Sequence, residues 1–566
     1  MQNPREALMR MRSLKWWPLA FLVFGVVVLR IVDIGADAWK DLDWGTGIWT
    51  DEGFYAHNAR NQVLFGKAEQ DGFNNYNLSP VLHAIQVIVF TQFGVGLIQA
   101  RLISIIASLL TCGFLYAGVR NDFGPRAAAF SLMLLGLESS YILYNRLGLM
   151  ESLGTLVIAL AYYLWTLDRP WSKFLSGFIA AAAFAVKTTF LIFLPAPVIA
   201  LIIINKRDLR AIASSTWPYL LGAAAFFGLY YGTWLGVHGA EVARMNNFYR
   251  TMQSQPRSFN QLLWMIRRAV IGYHFGFLQR METRSTVFLN LALVGSIWSL
   301  FKMMPIGKSK SDEVIEGIHK RLLMHIVCLA AGILFIFVSR YAPSRYFLVF
   351  HVSAAVVGGV LLSRFTDVVK AIREIVWLQR AMFVLVFLFG YHVLLPLFNI
   401  PELKKYSELL AVLTAMSVTV IAFRFRSGLS KQLTPAIITA VFLVTSLGQY
   451  TAWFVTRKHE TQQASQWLTA QVGPNAIVAG DWAPNLGFGS KLRLPPVFKG
   501  LANDDDPIQT LNVDFVLTGR TPYPKRMWAK LAPGLLIDEN RVSTLMYHGY
   551  TIDLYRVPDA MKRKVE

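Results

Sequence analysis

Gln99 to Val119 reads QARLISIIASLLTCGFLYAGV, a run in which Arg101 is the one charged residue. A helix needs roughly twenty mostly apolar residues to cross a bilayer, and this run has that length, so its reading decides the class of the whole chain. Similar runs lie near 15–35, 127–144, 150–167, 214–237, 285–303, 321–340, 346–363, 376–396, 407–424 and 434–456. The stretch 173–205 is too long for one span and splits near Lys187 and Thr188 into two short helices. The reading is an all-α polytopic domain of about thirteen transmembrane helices. Composition agrees, with 54% hydrophobic and 16% charged residues in 566 and a mean hydropathy of +0.42, values foreign to a soluble globule.

The formal net charge is +21. In a soluble chain that would suggest nucleic acid, but most Lys and Arg sit in short stretches between apolar runs (NKRDLR, KSKSDE, AIREIVWLQR, RFRSGLSK), where they orient the chain with its positive loops in the cytoplasm. An odd number of spans then puts the N-terminus in the cytoplasm and the C-terminus outside. Three segments fall outside the membrane on that side: the loop 36–98, the loop 238–284 and everything from 457 onward. Cys112 and Cys328 lie within apolar runs and read as small buried hydrophobes. The apolar stretch after the basic N-terminus is long and lacks a small-residue cleavage site, which favours an uncleaved first span.

Residues 457–566 differ in composition from the 1–456 transmembrane domain. HETQQASQWLTAQV reads as a polar helix with one apolar stripe, NAIVAG and DFVLTGR as strands, and STLMYHGYTIDLYRV as a hairpin turning at His548 and Gly549. This predicts a small extracytoplasmic α/β domain. Asp504, Asp505 and Asp506 read as a solvated loop rather than a cation site.

The first external loop contains TDEGFYAHNARN, Thr50 to Asn61. Taken alone, Thr50 reads as an N-cap with Asp51 and Glu52 in the first helical turn, facing the helix dipole. On a helix from 51 to 65, Tyr55, Ala59 and Val63 share one side, so the segment is expected along the outer membrane surface. Its carboxylates would then stand where a general base acts on a substrate head that emerges from the bilayer. A second feature is RLGLME, in which Arg146 and Glu151 are expected to face the same cavity, and Glu138 lies at the outer end of the preceding span, a depth at which an ionisable group is a functional candidate. Third, Lys187, Arg101, Arg340 and Arg345 lie close to the outer face, joined by Arg244 and its neighbours in the second loop. Cations there run against the positive-inside tendency and suit a lipid phosphate, for which Arg offers a fork and Lys a point charge. No nucleotide-binding loop, nucleophile elbow or metal-spaced His/Cys cluster occurs.

Together the external Asp-Glu, FGVGLIQAR (Phe93 to Arg101), RLGLME (Arg146 to Glu151), the hairpin lysine, the later Arg-Tyr and the external C-terminal domain resemble the GT-C membrane glycosyltransferases. The resemblance is to bacterial family 39-like members, similar to protein O-mannosyltransferases and lipid A aminoarabinose transferases. It implies a GT-C-like fold and transfer of a sugar from a polyprenyl-phosphate donor to a hydroxyl acceptor (protein, lipid or polysaccharide) at the outer face of the cytoplasmic membrane. By the same resemblance Asp51 is the catalytic base with Glu52 beside it, Tyr55 the matching tyrosine of the loop, Glu151 the second-loop acid and Lys187 the contact to the donor phosphate. Arg101, Glu138, Arg146, Arg340 and Arg345 complete the substrate-binding candidates. No cofactor is required, although the acids are compatible with a divalent cation. One departure stands out: the aminoarabinose transferases carry Glu-Lys-Pro-Pro where this chain has Leu78-Ser79-Pro80-Val81. The rival class, a transporter or flippase of lipid-linked sugars, shares the spans and the intramembrane charges.

Overall fold

The computed structural model describes residues 17–43, 45–205, 208–252, 258–261, 263, 275–303, 312–338, 343–367 and 433–562. Among them, six helices are long and apolar enough to cross a membrane, or seven when the bent pair Pro125–Gly136 and Ser139–Asn145 is taken as one span. The first expected span forms the helix Trp17–Ile31, and the long run splits as anticipated, with Pro170–Ala182 before Lys187 and Ala196–Asn205 after it. The runs expected at 376–396 and 407–424 lie outside the described residues. The second external loop was expected to begin at 238, but the helix of the preceding span continues through a π turn at Tyr231–Leu235 into Gly236–Met252. Helix-forming Ala, Glu, Arg and Met there carry the ladder on after the apolar stretch ends.

The bent pair shows how a broken span keeps its backbone satisfied in an apolar setting. Arg30, fully buried, donates to the carbonyl of Gly136 at 2.8 Å and to Ser108 Oγ at 2.9 Å. Ser446 donates to the carbonyl of Leu137 and accepts from the amide of Ser139. Glu138 caps the second piece, accepting from Tyr141 N and from Ser285 Oγ. Elsewhere small residues allow close packing: a side chain on Gly177 would meet the Tyr219 carbonyl, and one on Gly222 the Phe174 carbonyl, each at 1.9 Å.

Past Thr456 the chain forms a four-stranded sheet in the order β1-β2-β4-β3, with β1 Val478–Ala479, β2 Phe515–Gly519, β3 Arg541–Tyr547 and β4 Tyr550–Arg556. β1 runs parallel to β2, and the other pairs are antiparallel. The β3–β4 turn has His548 at φ 48° and Gly549 at φ 83°, the two positive values that a tight hairpin requires. Helix Glu460–Val472 matches the sequence reading, whereas Pro522–Leu531 was not anticipated. Asp506 caps the short helix Pro507–Leu511. The sheet unit sits on the membrane part through Asp37, which accepts from His548 Nε2 and Thr461 N, while the His548 ring stacks on Trp49 at 4.8 Å.

Candidate active site

The acidic stretch lies on a helix that begins earlier than expected, Gly47–Phe65. Thr46, not Thr50, precedes it, and Thr50 Oγ1 donates back to the Thr46 carbonyl within the helix. Asp51 and Glu52 therefore stand in its second turn, and the helix-start explanation does not account for them. Nor does the helix lie open along a surface. Ala56 and Ala59 are fully buried in a cluster with Phe90 and Phe488, the latter from the C-terminal unit. Arg60 donates to the carbonyls of Phe488, Ser490 and Leu492. The C-terminal unit clamps this helix down.

Neighbours 100° apart on a helix point to different places, and the acids separate accordingly. Glu52 accepts from both Arg101 Nε (2.8 Å) and Arg101 Nη2 (2.7 Å) and from the amide of Gly148 (2.6 Å), deep in the protein. Arg101 Nη1 also holds the carbonyls of Ile34 and Ala36. The pair ties together four segments of the chain, and neither residue lines the cavity beside Asp51. Asp51 points instead to Arg345, whose Nη2 lies 2.6 Å from its Oδ2. The same guanidinium lies 3.5 Å from Asp43 and 3.3 Å from Glu151, and Glu151 also accepts from Lys187. Tyr55 donates to Asp51 at 3.4 Å, and Tyr144 to Asp43 at 3.2 Å. Three carboxylates thus share two cations.

Of the three carboxylates in this cluster Asp51 is the most exposed, 15% of its side chain against 1% for Asp43 and for Glu151. Burial pushes its carboxyl above the ordinary range, opposed by Arg345 and reinforced by Glu151. A carboxylate so raised is a better proton acceptor near neutral pH. A cavity of about 470 Å³ opens beside the cluster, with Lys187, Tyr55 and Tyr346 at one end and an apolar wall including Met150, Phe184, Leu191 and Phe335. The Lys187 ammonium lies 4.6 Å from the Tyr346 ring. One cation at the end of an apolar pocket suits an anionic head on a hydrocarbon chain. Among the described residues no three His, Cys, Asp or Glu side chains converge as metal ligands.

The remaining sequence candidates go elsewhere. Arg146 does not face the cluster: it donates to the carbonyls of Leu29, Arg30 and Asp33 and lies over the Trp453 ring at 4.4 Å. Glu138 is the cap described above, 3.5 Å from His351. Arg244 joins Glu241 and the Leu501 carbonyl. Arg340 lies outside the described residues. Sequence reasoning missed Asp43 and Tyr346. Asp43, between Leu42 and Trp44 in irregular chain, had no periodicity to mark it, although an acid eight positions before Asp51 in the same inter-span segment was a usable signal.

A multi-span helical bundle in which the helix Gly47–Phe65 carries an acid cluster beneath a small C-terminal sheet is a GT-C-like membrane architecture. Residues 77–234 match the family model described as dolichyl-phosphate-mannose-protein mannosyltransferase. ArnT from Cupriavidus metallidurans, in its apo state, superposes with a TM-score of 0.55 at 15% identity over 97% of this chain and 99% of that one. The same protein bound to undecaprenyl phosphate gives 0.52 at 15% identity over 98% and 100%. The archaeal oligosaccharyltransferase AglB from Archaeoglobus fulgidus is 12% identical over 89% of this chain and 69% of that one, with a TM-score of 0.42. No curated protein sequence matches. The chain thus resembles the GT-C membrane glycosyltransferases in fold, and the mannosyltransferases over residues 77–234.

Proposed function

We propose that this protein transfers a hexosyl or pentosyl unit from a polyprenyl-phosphate donor to a hydroxyl acceptor at the outer face of the cytoplasmic membrane. The observation that carries the reading is Asp51, the most exposed carboxylate of a cluster that also holds Arg345 and Lys187, of which Lys187 lines an adjoining and largely apolar cavity. The donor's isoprenoid lies along the apolar wall and its phosphate meets Lys187. Asp51 takes the proton of the acceptor hydroxyl as that oxygen bonds to the anomeric carbon. The bond from that carbon to the phosphate oxygen breaks, its electron pair leaves with polyprenyl phosphate, and the anomeric centre inverts. Lys187 and Arg345 stabilise the charge that grows on the leaving phosphate. Glu151 holds both cations in place, and Glu52 anchors the helix that presents Asp51. The bound undecaprenyl phosphate in the ArnT structure supports the donor class.

The test is mass-spectrometric detection of polyprenyl phosphate released from polyprenyl-phosphate sugars by the protein in lipid nanodiscs, with an envelope extract supplying acceptors. Release by wild type and its loss in a folded Asp51→Asn variant are expected. Equal release by both would remove Asp51 from the chemistry, and no release despite lipid binding would favour transport of the lipid-linked sugar.

A further inference from the structure

A second cavity, about 460 Å³, lies on the other side of the 47–65 helix, between it and the C-terminal sheet. It lies within the size range of small-ligand sites, about 300–1,000 Å³. Aromatic side chains dominate its wall: Trp482 and Tyr550, with ring centroids 5.6 Å apart, Phe54 from the helix and Tyr523, a residue 59% exposed. Its charged members are Asp481 and Arg520. Arg520 is already committed to Asp553 through two bonds of 2.7 and 3.0 Å. Oδ1 of Asp481, by contrast, is buried and has no hydrogen-bond partner among the described residues.

These features select a ligand chemistry. Two carboxylates, Asp481 and Asp553, stand against the one guanidinium of Arg520, so the local charge disfavours phosphate-bearing or acidic ligands. An orphaned carboxylate oxygen calls for a donor. Flat aromatic faces call for a surface of C–H bonds, which the electron-rich face of a ring attracts. A neutral pyranose has both, with hydroxyl donors on its rim and a C–H face. Burial pushes the Asp481 carboxyl up to about 7, against hydrogen bonds from its own backbone and from Thr518 that only partly offset the charge.

The position of the cavity also fits. At about 100° per residue, Thr46, Thr50 and Phe54, which line this cavity, fall at about 0°, 40° and 80° around the helix, and Tyr55, which lines the first cavity, at about 180°. Asp51 falls at about 140° by the same count, between the two. A displacement at an anomeric carbon brings the nucleophile in opposite the leaving phosphate, so the base belongs between the two substrates.

We infer that the cavity walled by Trp482, Tyr550, Tyr523 and Asp481 binds the acceptor, and that the acceptor is a neutral saccharide whose hydroxyl is presented to Asp51. This rests on the transferase reading for its role but not for its binding. The experiment is saturation-transfer NMR on the full chain in nanodiscs with three probes, mannotetraose, cellotetraose and chitotetraose, and a serine- and threonine-containing hexapeptide as the competing class. At least one saccharide should receive saturation at its ring C–H protons, and both Tyr523→Ala and Asp481→Asn should weaken it about tenfold or more, the loss of one stacked ring or one charged hydrogen bond. Binding of undecaprenyl phosphate by each variant reports that it is folded. Binding of the peptide alone, of no probe, or of a saccharide with unchanged affinity in both variants overturns the assignment. A protein that binds saccharide at this site yet releases no polyprenyl phosphate would leave the saccharide site standing and remove the transferase reading.

Discussion

Arg345 Nη2 lies 2.6 Å from Asp51 Oδ2, although 294 residues separate the two in sequence (345 − 51). The contact gives the proposed base its fixed direction and its main positive neighbour, and it makes the pH profile informative. Burial raises the Asp51 carboxyl and Arg345 is the first influence opposing that rise. Asp51 must be deprotonated to act, so kcat/KM should climb with pH along a limb set by this carboxyl. In Arg345→Gln the opposing charge is gone, the carboxyl rises further, and the limb should move to higher pH, along with a lower plateau. An unshifted limb in an active variant would separate the profile from Asp51.

The two adjacent acids should behave as opposites. Asp51→Asn is expected to reduce transfer by about 10²–10⁴ and to leave the thermal unfolding midpoint in detergent close to wild type, because a partly exposed side chain is replaced by its isostere. Glu52→Gln leaves the Arg101 guanidinium buried without its carboxylate, a change that destabilises by about 3–5 kcal/mol. The midpoint and the yield of folded protein should both fall. Replacing both partners by apolar residues, Glu52→Leu with Arg101→Met, should recover part of the loss.

Two glycines of the same helix give a second contrast. A Cβ on Gly53 would lie 2.5 Å from Asn485 N and 2.6 Å from the Pro484 carbonyl carbon, both backbone. Gly53→Ala should therefore lift the C-terminal unit off the helix, read as faster cleavage by limited proteolysis. A Cβ on Gly47 would lie 3.0 Å from Arg345 Nη1 and 3.3 Å from Asp51 Oδ1, both side-chain atoms that can give. Gly47→Ala should keep the proteolysis pattern and lose activity.

Lys187→Gln removes a charged hydrogen-bond donor from the cavity, an interaction of about 1.5–3 kcal/mol. Undecaprenyl-phosphate affinity, measured by microscale thermophoresis, should fall about 10- to 150-fold by the same figure. Lys187→Arg should restore part of it. The divalent cation is open to a direct check. Arg345 and Lys187 already supply positive charge to the cluster, so activity is expected to persist in EDTA, and rescue by added Mg²⁺ or Mn²⁺ would assign the acids a ligand role.

The apolar runs made the helical bundle legible, and the short β-forming stretch of DFVLTGR and the His548-Gly549 pair did the same for the sheet. Within the site, Asp51, Glu151, Lys187 and Arg345 were nameable because charges beside spans are costly and therefore conspicuous. Their assignments diverged where a charge found a partner far away in sequence. Glu52 and Arg101 are 49 residues apart, and one looked like a catalytic acid and the other like a substrate contact until they met each other. Arg146 and Glu138 satisfy backbone at chain breaks, a demand that no periodicity reports. Asp43 sits in irregular chain, and the second cavity arises only where two units 400 residues apart meet.

The arrangement around Arg60 also sets an order of events during synthesis. Its three carbonyl partners begin 428 residues later, so at roughly 5–20 residues/s the helix waits about 20–90 s for them. Through that interval the wall that carries Trp482 has not been made, and Asp51 has no second cavity beside it. On the reading proposed above, a nascent chain would thread its earlier spans into the bilayer without being able to spend activated sugars, because the residues that would receive the sugar are made later.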